Sequence, residues 1–457
     1  MTVLSLTGIF AGLILMIFLT YRGHSIIWVA PLCTFLVVLF SLGAGLGDGR
    51  SLLTAYTVDY MTGVGNYFIS WFPIFLLGAI FGKLMDLTGS AKELADVIVG
   101  LVGSRFVVLA VLIPCIILTY GGVSLFVVVF IMYPMGSSIY RAANLPRTLL
   151  PPAIAFGSFG ITMTCFPGSP QIQNLIPTNY FGTTASAGPL FGIITGVLTG
   201  IAGYLYLDSR VRWAQKEGLS YDSAISGASV FSEDQKAPAP GQSKSPVSIQ
   251  QKARMICRGL LPLVVVFVTL NLLKWEIVVS LIAGILACGL LHLKQIRTIP
   301  AAFTEGAKSS VTAMMNSACA VGFGTVIRIV PGFALLTGLL TGNITSPLKL
   351  YFSEALSVGV LSAATGSSSG GLSIALEAFS DQYLQLANTL QVSPGLLHRI
   401  AAIASGCLDK LPHNGAVITL LIVSQCTHKE SYKDIFIVSV LIPTIILCVM
   451  LLVYGLF

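Results

Sequence analysis

Apolar positions along this chain come in unbroken runs, and most charged residues fall in the gaps between them. Runs near 3–20, 25–43, 67–86, 188–207, 259–273, 277–291, 310–330 and 435–456 predict transmembrane helices, because about 20 apolar residues cross the hydrocarbon core of a bilayer. The stretch 44–66, carrying Asp48, Arg50 and Asp59, predicts an external loop. The charged stretch around Lys83, Lys92 and Arg105 predicts a cytoplasmic one.

Two breaks interrupt the apolar pattern in the first half: Tyr120-Gly121-Gly122-Val123-Ser124 and Phe166-Pro167-Gly168-Ser169-Pro170-Gln171-Ile172-Gln173-Asn174. Two more answer them in the second half, at Ala364-Thr365-Gly366-Ser367-Ser368-Ser369-Gly370-Gly371 and at Leu411-Pro412-His413-Asn414-Gly415. The registers agree, since Gly366 follows Gly121 and Pro412 follows Pro167 by the same 245 residues. Irregular backbone at membrane depth survives only where protein buries it or it lines a polar cavity. Interrupted segments at matching positions of two halves point to a transporter's binding site.

The stretch 105–140 is short for two full spans and has its Gly-rich break at the middle. Arg105 before it and Arg141 and Arg147 after it favour a re-entrant hairpin open to the cytoplasm. Two ordinary spans joined by an external Gly-rich turn are the alternative. Residues 148–180 predict a broken span, because Pro167 and Pro170 have no backbone N–H. The second half repeats the plan with a hairpin at 350–385 and a broken span at 395–422. Residues 208–258, hydrophilic and carrying Ala-Pro-Ala-Pro at 237–240, predict a cytoplasmic linker between a first repeat (1–207) and a second (259–457). Five spans plus one hairpin per half is an odd count of crossings, so the halves are expected to sit inverted in an all-α polytopic membrane protein. The apolar start without a basic n-region predicts a retained first span, and Arg22 and His24 after it put the N-terminus outside.

Composition sharpens this picture. Only 9% of the 457 residues are charged and 55% are hydrophobic, with a mean hydropathy of +0.88, whereas a soluble chain carries about a quarter charged residues. The net charge of +7 comes from Lys and Arg dispersed over loops, which argues for orientation in a membrane and against nucleic acid as a partner. The nine cysteines form no CxxC or Cys/His cluster, so no disulfide framework, metal site or cofactor is implied. No P-loop, HExxH or nucleophile motif supports an enzyme.

The breaks supply the candidate chemistry. Hairpin tips between half-helices offer free N–H groups, which favour anions. Gly121, Gly122, Ser124, Gly366, Ser367, Ser368 and Ser369 at the tips, with Ser169, Gln171, Gln173, Asn174, His413 and Asn414 from the broken spans, form a candidate pocket for a small carboxylate bearing hydroxyls. Close packing of small residues between membrane helices is the competing account of each motif taken singly. Ionisable residues within the membrane are functional hypotheses: Glu377, Asp409 and His413 are candidate proton carriers. Arg328 near a span end and a local Asp409–Lys410 pair complete that set.

Residues Gly121-Gly122-Val123-Ser124-Leu125-Phe126, the Pro-Gly-Ser-Pro of 167–170, Ala364-Thr365-Gly366-Ser367 and the Gly415 region make the chain resemble the gluconate permease (GntP-type) family of proton symporters. The resemblance implies a homodimeric inner-membrane carrier in which a mobile transport domain moves against a scaffold, as an elevator. It implies gluconate-like sugar acids, D-serine or 3-hydroxybutyrate as substrates, with protons as the coupling ion. This chain departs from the sugar-acid branch, which carries a carboxylate in the first hairpin where Val128 stands here and a His-Val-Asn-Asp-Ala-Gly pattern where Lys410-Leu411-Pro412-His413-Asn414-Gly415 stands. That tilts the expectation from gluconate toward a shorter hydroxy acid such as 3-hydroxybutyrate. Sodium coupling through serine hydroxyls and freed carbonyls, and a channel or scaffold without active transport, are the other readings.

Overall fold

The computed structural model describes residues 2–22, 24–42, 51–102, 106–123, 125–221, 249–342, 344–412 and 414–456. Among them every regular element is a helix. The first half runs α1 (Thr2–Tyr21), α2 (Ile26–Ser41), α3 (Leu52–Leu87), α4 (Ser90–Val102), α5 (Val107–Tyr120), α6 (Leu125–Ala142), α7 (Leu150–Ala155), α8 (Ile172–Phe181) and α9 (Pro189–Lys216). The second runs α10 (Ile249–Phe267), α11 (Ile277–Leu291), α12 (Ile299–Ile329), α13 (Gly332–Thr341), α14 (Pro347–Thr365), α15 (Ser368–Thr389), α16 (Pro394–Ser405), α17 (Gly415–Val423) and α18 (Ile442–Leu456). Element bounds in the two halves correspond at about the spacing read from the breaks: α5 with α14, α6 with α15, α7 with α16 and α8 with α17.

Five stretches among the described residues are long and apolar enough to cross a membrane: Leu52–Leu87, Pro189–Lys216, Met255–Leu272, Ile299–Ile329 and His428–Leu456. Two of them extend furthest beyond the sequence expectation. The part of the expected external loop 44–66 that is described is helix from Leu52 on, started by a capping box in which Ser51 Oγ accepts from Thr54 N (3.1 Å). The span expected at 310–330 begins at Ile299. Both extensions carry polar residues such as Thr57 and Glu305, which a search for continuous apolar runs ends on. Ala55, Tyr60, Val64, Tyr67 and Trp71 are nevertheless buried at helical spacing.

The long pair α3 and α12 pack against each other along much of their lengths. Glycines permit the approach: a Cβ at Gly63 would stand 2.3 Å from Thr325 Oγ1, and one at Gly306 2.7 Å from Ile80 Cα. The charged stretch after α3 is itself the helix α4, with Ala91, Leu94 and Val97 buried and Lys92 exposed. Helix α9 continues to Lys216 and α10 starts at Ile249, so both ends of the 208–258 stretch are helical.

Two helical hairpins and two broken helices position the candidate site. Arms α5 and α6 meet at Gly121–Val123, where Gly122 has φ +94° and leaves no room for a side chain, since a Cβ would stand 2.8 Å from Pro170 Cγ. Arms α14 and α15 meet at Gly366, which closes α14 with φ +59°, a left-handed conformation that favours glycine. Ser367 then caps α15, its Oγ accepting from Gly370 N (3.2 Å). These second arms, at about 1.5 Å per residue, rise roughly 28 and 33 Å. Helix α7 gives way after Gly160 to non-helical backbone before α8, and α16 gives way at Gly406 before α17.

Candidate functional site

The two hairpin tips and the two breaks are tied to each other by side chains named in the sequence reading. Tyr120 Oη donates to the Pro167 carbonyl (2.9 Å), and Gln171 Nε2 donates to the Thr119 carbonyl (2.6 Å). The first tip therefore lies on the first break. Asn414 Nδ2 donates to the carbonyls of Gly366 and Asp409, both at 3.0 Å, so the second tip lies on the second break. Gln173 Nε2 donates to Ser368 Oγ (2.8 Å) and joins the first break to the second tip. The breaks also approach each other, as a Cβ at Gly406 would stand 2.7 Å from Thr164 Cγ2.

Each break is stiffened by an asparagine that returns to a carbonyl five residues earlier. Asn174 Nδ2 donates to Ser169 O (2.8 Å) and to Ala185 O (2.9 Å). Asn414 makes the equivalent bond to Asp409 and caps α17 as well, its Oδ1 accepting from Ala416 N (2.7 Å) and Val417 N (3.0 Å). Ser367 Oγ and Ser369 Oγ are 3.3 Å apart, and Ser369 Oγ lies 3.3 Å from Ser317 Oγ on α12.

Hydrogen-bonding capacity remains unused at this crossing. Among the described residues Thr119 Oγ1, Ser169 Oγ, Gln173 Oε1 and Asn174 Oδ1 are buried without a hydrogen-bond partner. Buried polar atoms are normally paired, so a group of free acceptors and hydroxyls among the named residues suits a polar ligand. Ser124 and His413 lie outside the described residues.

The proton candidates are dispersed. Glu377 stands two turns along α15 from the tip and is doubly held, by Arg328 Nη1 (3.1 Å) and by the Tyr180 hydroxyl (3.1 Å). Arg328 also reaches Asp381 through Nη2 (3.1 Å), so it bridges two carboxylates. Asp409 and Lys410 are both buried and paired at 3.0 Å, and the ammonium donates further to the Gly406 carbonyl. Each of these carboxylates is thus held with an ionic partner.

An open cleft of about 240 Å³ lies beside Glu377, between α3, α8, α12 and α15, with Asn66, Tyr67, Trp71, Asn179, Tyr180 and Thr325 among its walls. Of the described candidate residues only Glu377 lines it. One face of α15 connects this cleft to the tip: Ser369 meets Ser317, Ser373 donates to the Tyr67 hydroxyl (3.2 Å), and Glu377 meets Arg328. The spacing of four residues makes this a polar seam along one helix face.

Among the described residues, sequence reasoning passed over three ionisable residues with no exposed surface. Arg399 on α16 has no exposed surface and donates to the carbonyls of Ala187 (2.8 Å) and Ala185 (3.1 Å). His398 Nδ1 lies 2.6 Å from Thr183 Oγ1. Glu354 on α14 is fully buried. All three fall inside the expected second hairpin or second broken span, and a count of every ionisable residue there would have found them.

Residues 4–295 match the family model described as GntP family permease. The chain is 36% identical over 475 residues to the uncharacterized transporter YxjC of Bacillus subtilis (strain 168), covering 97% of each. Its fold is similar to that of MtrF of Neisseria gonorrhoeae, described with a class of antimetabolite efflux pumps, with a TM-score of 0.59 over 95% of each chain at 12% identity. It is also similar to the YdaH transporter of Alcanivorax borkumensis, with a TM-score of 0.60 over 94% of this chain and 97% of that one at 14% identity. At such identities the likeness carries the fold alone.

Proposed function

The chain belongs to the GntP family of permeases, and on that premise we propose that it is a secondary transporter coupling proton entry to uptake of a small hydroxy-monocarboxylate, of the 3-hydroxybutyrate type. It is a multi-pass membrane transporter and not an enzyme. The observation that carries the finer reading is the convergence of both tips and both breaks through Gln171–Thr119, Gln173–Ser368 and Asn414–Gly366. These bonds bring half-helix ends, serine hydroxyls and amides together, and such ends favour a carboxylate while the hydroxyls and amides suit a substrate hydroxyl.

In this reading the two halves are inverted repeats, supported by the matched element bounds. The hairpins are re-entrant, the long pair α3 and α12 belongs to the scaffold, and the hairpins with the broken helices make up the mobile unit. The protein works as a homodimer in the bacterial inner membrane with its N-terminus outside.

The test is uptake of labelled 3-hydroxybutyrate into proteoliposomes under an inward proton gradient, with sodium replaced by choline. Accumulation that collapses with a protonophore is expected. Failure to accumulate any acid from a panel of three- to six-carbon carboxylates ends the proposal.

A further inference from the structure

Glu354 sits on the first arm of the second hairpin with no exposed surface, and among the described residues neither of its carboxyl oxygens has a hydrogen-bond partner. Among the described residues no cation pairs with it. From its own helix the nearest titratable neighbour is Tyr351, one turn earlier. From α15 comes Tyr383, whose hydroxyl is engaged with Ser357 Oγ (3.0 Å) and the Ser353 carbonyl (3.2 Å). From α16 come His398 and Arg399, held by Thr183 and by the carbonyls of Ala185 and Ala187. Helices α1, α13 and α18, which also pack around α14, contain no Asp, Glu, Lys, Arg or His.

We propose that Glu354 is a proton-binding site of the second hairpin, carrying its proton whenever the hairpin is packed as seen here. An ionised carboxylate in that position would have lost its water and gained neither donor nor cation, a state proteins avoid. The neutral acid carries no such penalty. Binding takes one proton from water on one side of the membrane, forms an O–H bond on a carboxylate oxygen and changes the group from −1 to 0. Release is the reverse, to water on the other side. Because the sealed packing tolerates only the neutral form, the hairpin closes loaded and exchanges its proton only when it opens. Glu377 and Asp409 suit this role less well, since protonating either would break a formed ion pair.

The inference rests on the proton-coupled reading above, and its test separates the two. Infrared difference spectra of the wild type against Glu354→Gln, without substrate, should show a protonated-carboxyl stretch at neutral pH that the variant lacks. Its absence from the wild type overturns the site. In proteoliposomes Glu354→Gln, an isosteric stand-in for the neutral acid, should keep substrate counterflow and lose gradient-driven accumulation, while Glu354→Asp keeps both. Accumulation by Glu354→Gln at the wild-type level overturns the site. Loss of counterflow in both variants marks the residue as structural and also overturns it. A wild type that accumulates nothing under a proton gradient sinks the coupling, and with it Glu354 as its carrier, even where the infrared band is present.

Discussion

Asn414 does two jobs with one side chain: its oxygen caps α17, and its amide tethers the second tip at Gly366. Asn414→Ala removes both, and losing the cap alone costs about 1 kcal/mol. Asn414→Ser restores a capping oxygen without reaching Gly366. The alanine variant is therefore expected to melt lower and transport with a raised apparent substrate constant, and the serine variant to recover the melting temperature before the substrate constant. Equal recovery of both would mean that the tether is not used. Asn414 was legible because it follows Pro412, at a break that the apolar pattern makes obvious. Arg399 was not. Its partners are backbone carbonyls more than 200 residues away in the chain, and a guanidinium held by carbonyls leaves no acidic partner to mark it.

Among elements, the second hairpin depends on two glycines for different reasons. Gly366 needs its left-handed backbone, so Gly366→Ala should cost about 1–2 kcal/mol while the arms still pack. Gly371 needs absence of bulk, because a Cβ there would stand 2.2 Å from Ser362 Cα on the opposite arm. Gly371→Val should therefore part the arms and fail to give a cooperative melt in detergent, where Gly366→Ala melts cooperatively at a lower temperature. A Gly371→Val protein that melts like the wild type would contradict the arm packing. Turns of this kind are readable in advance, since glycine marks them locally. Helix α4 was missed because it is amphipathic, with Lys92, Glu93 and Asp96 beside buried Ala91 and Leu94. A search for continuous apolar runs reads such charges as loop, and only a helical period separates the two.

For the whole molecule, the shared register of 245 residues survived into the helix bounds because punctuation repeats in the sequence itself. The packing of α3 on α12 left no such trace: Gly63 and Gly306 are spaced like any membrane glycines until their partners are known. That packing matters because α15 meets the long pair through the polar seam of Ser369, Ser373 and Glu377. Hydrogen bonds and partly exposed ion pairs of this kind each contribute about 1 kcal/mol or less, so the seam is weak enough to break and re-form in the sliding motion proposed above. Ser317 and Ser369, with oxygens 3.3 Å apart, are close enough for a disulfide between cysteines placed there. In a background lacking the exposed Cys257, Ser317→Cys with Ser369→Cys should cross-link on oxidation, abolish uptake, and regain it on reduction. Each single variant treated alike should keep its own untreated rate of uptake throughout. A cross-linked protein that still accumulates substrate would mean that the second hairpin works without leaving α12, and a carrier whose hairpin moves against a fixed long pair would have to be abandoned.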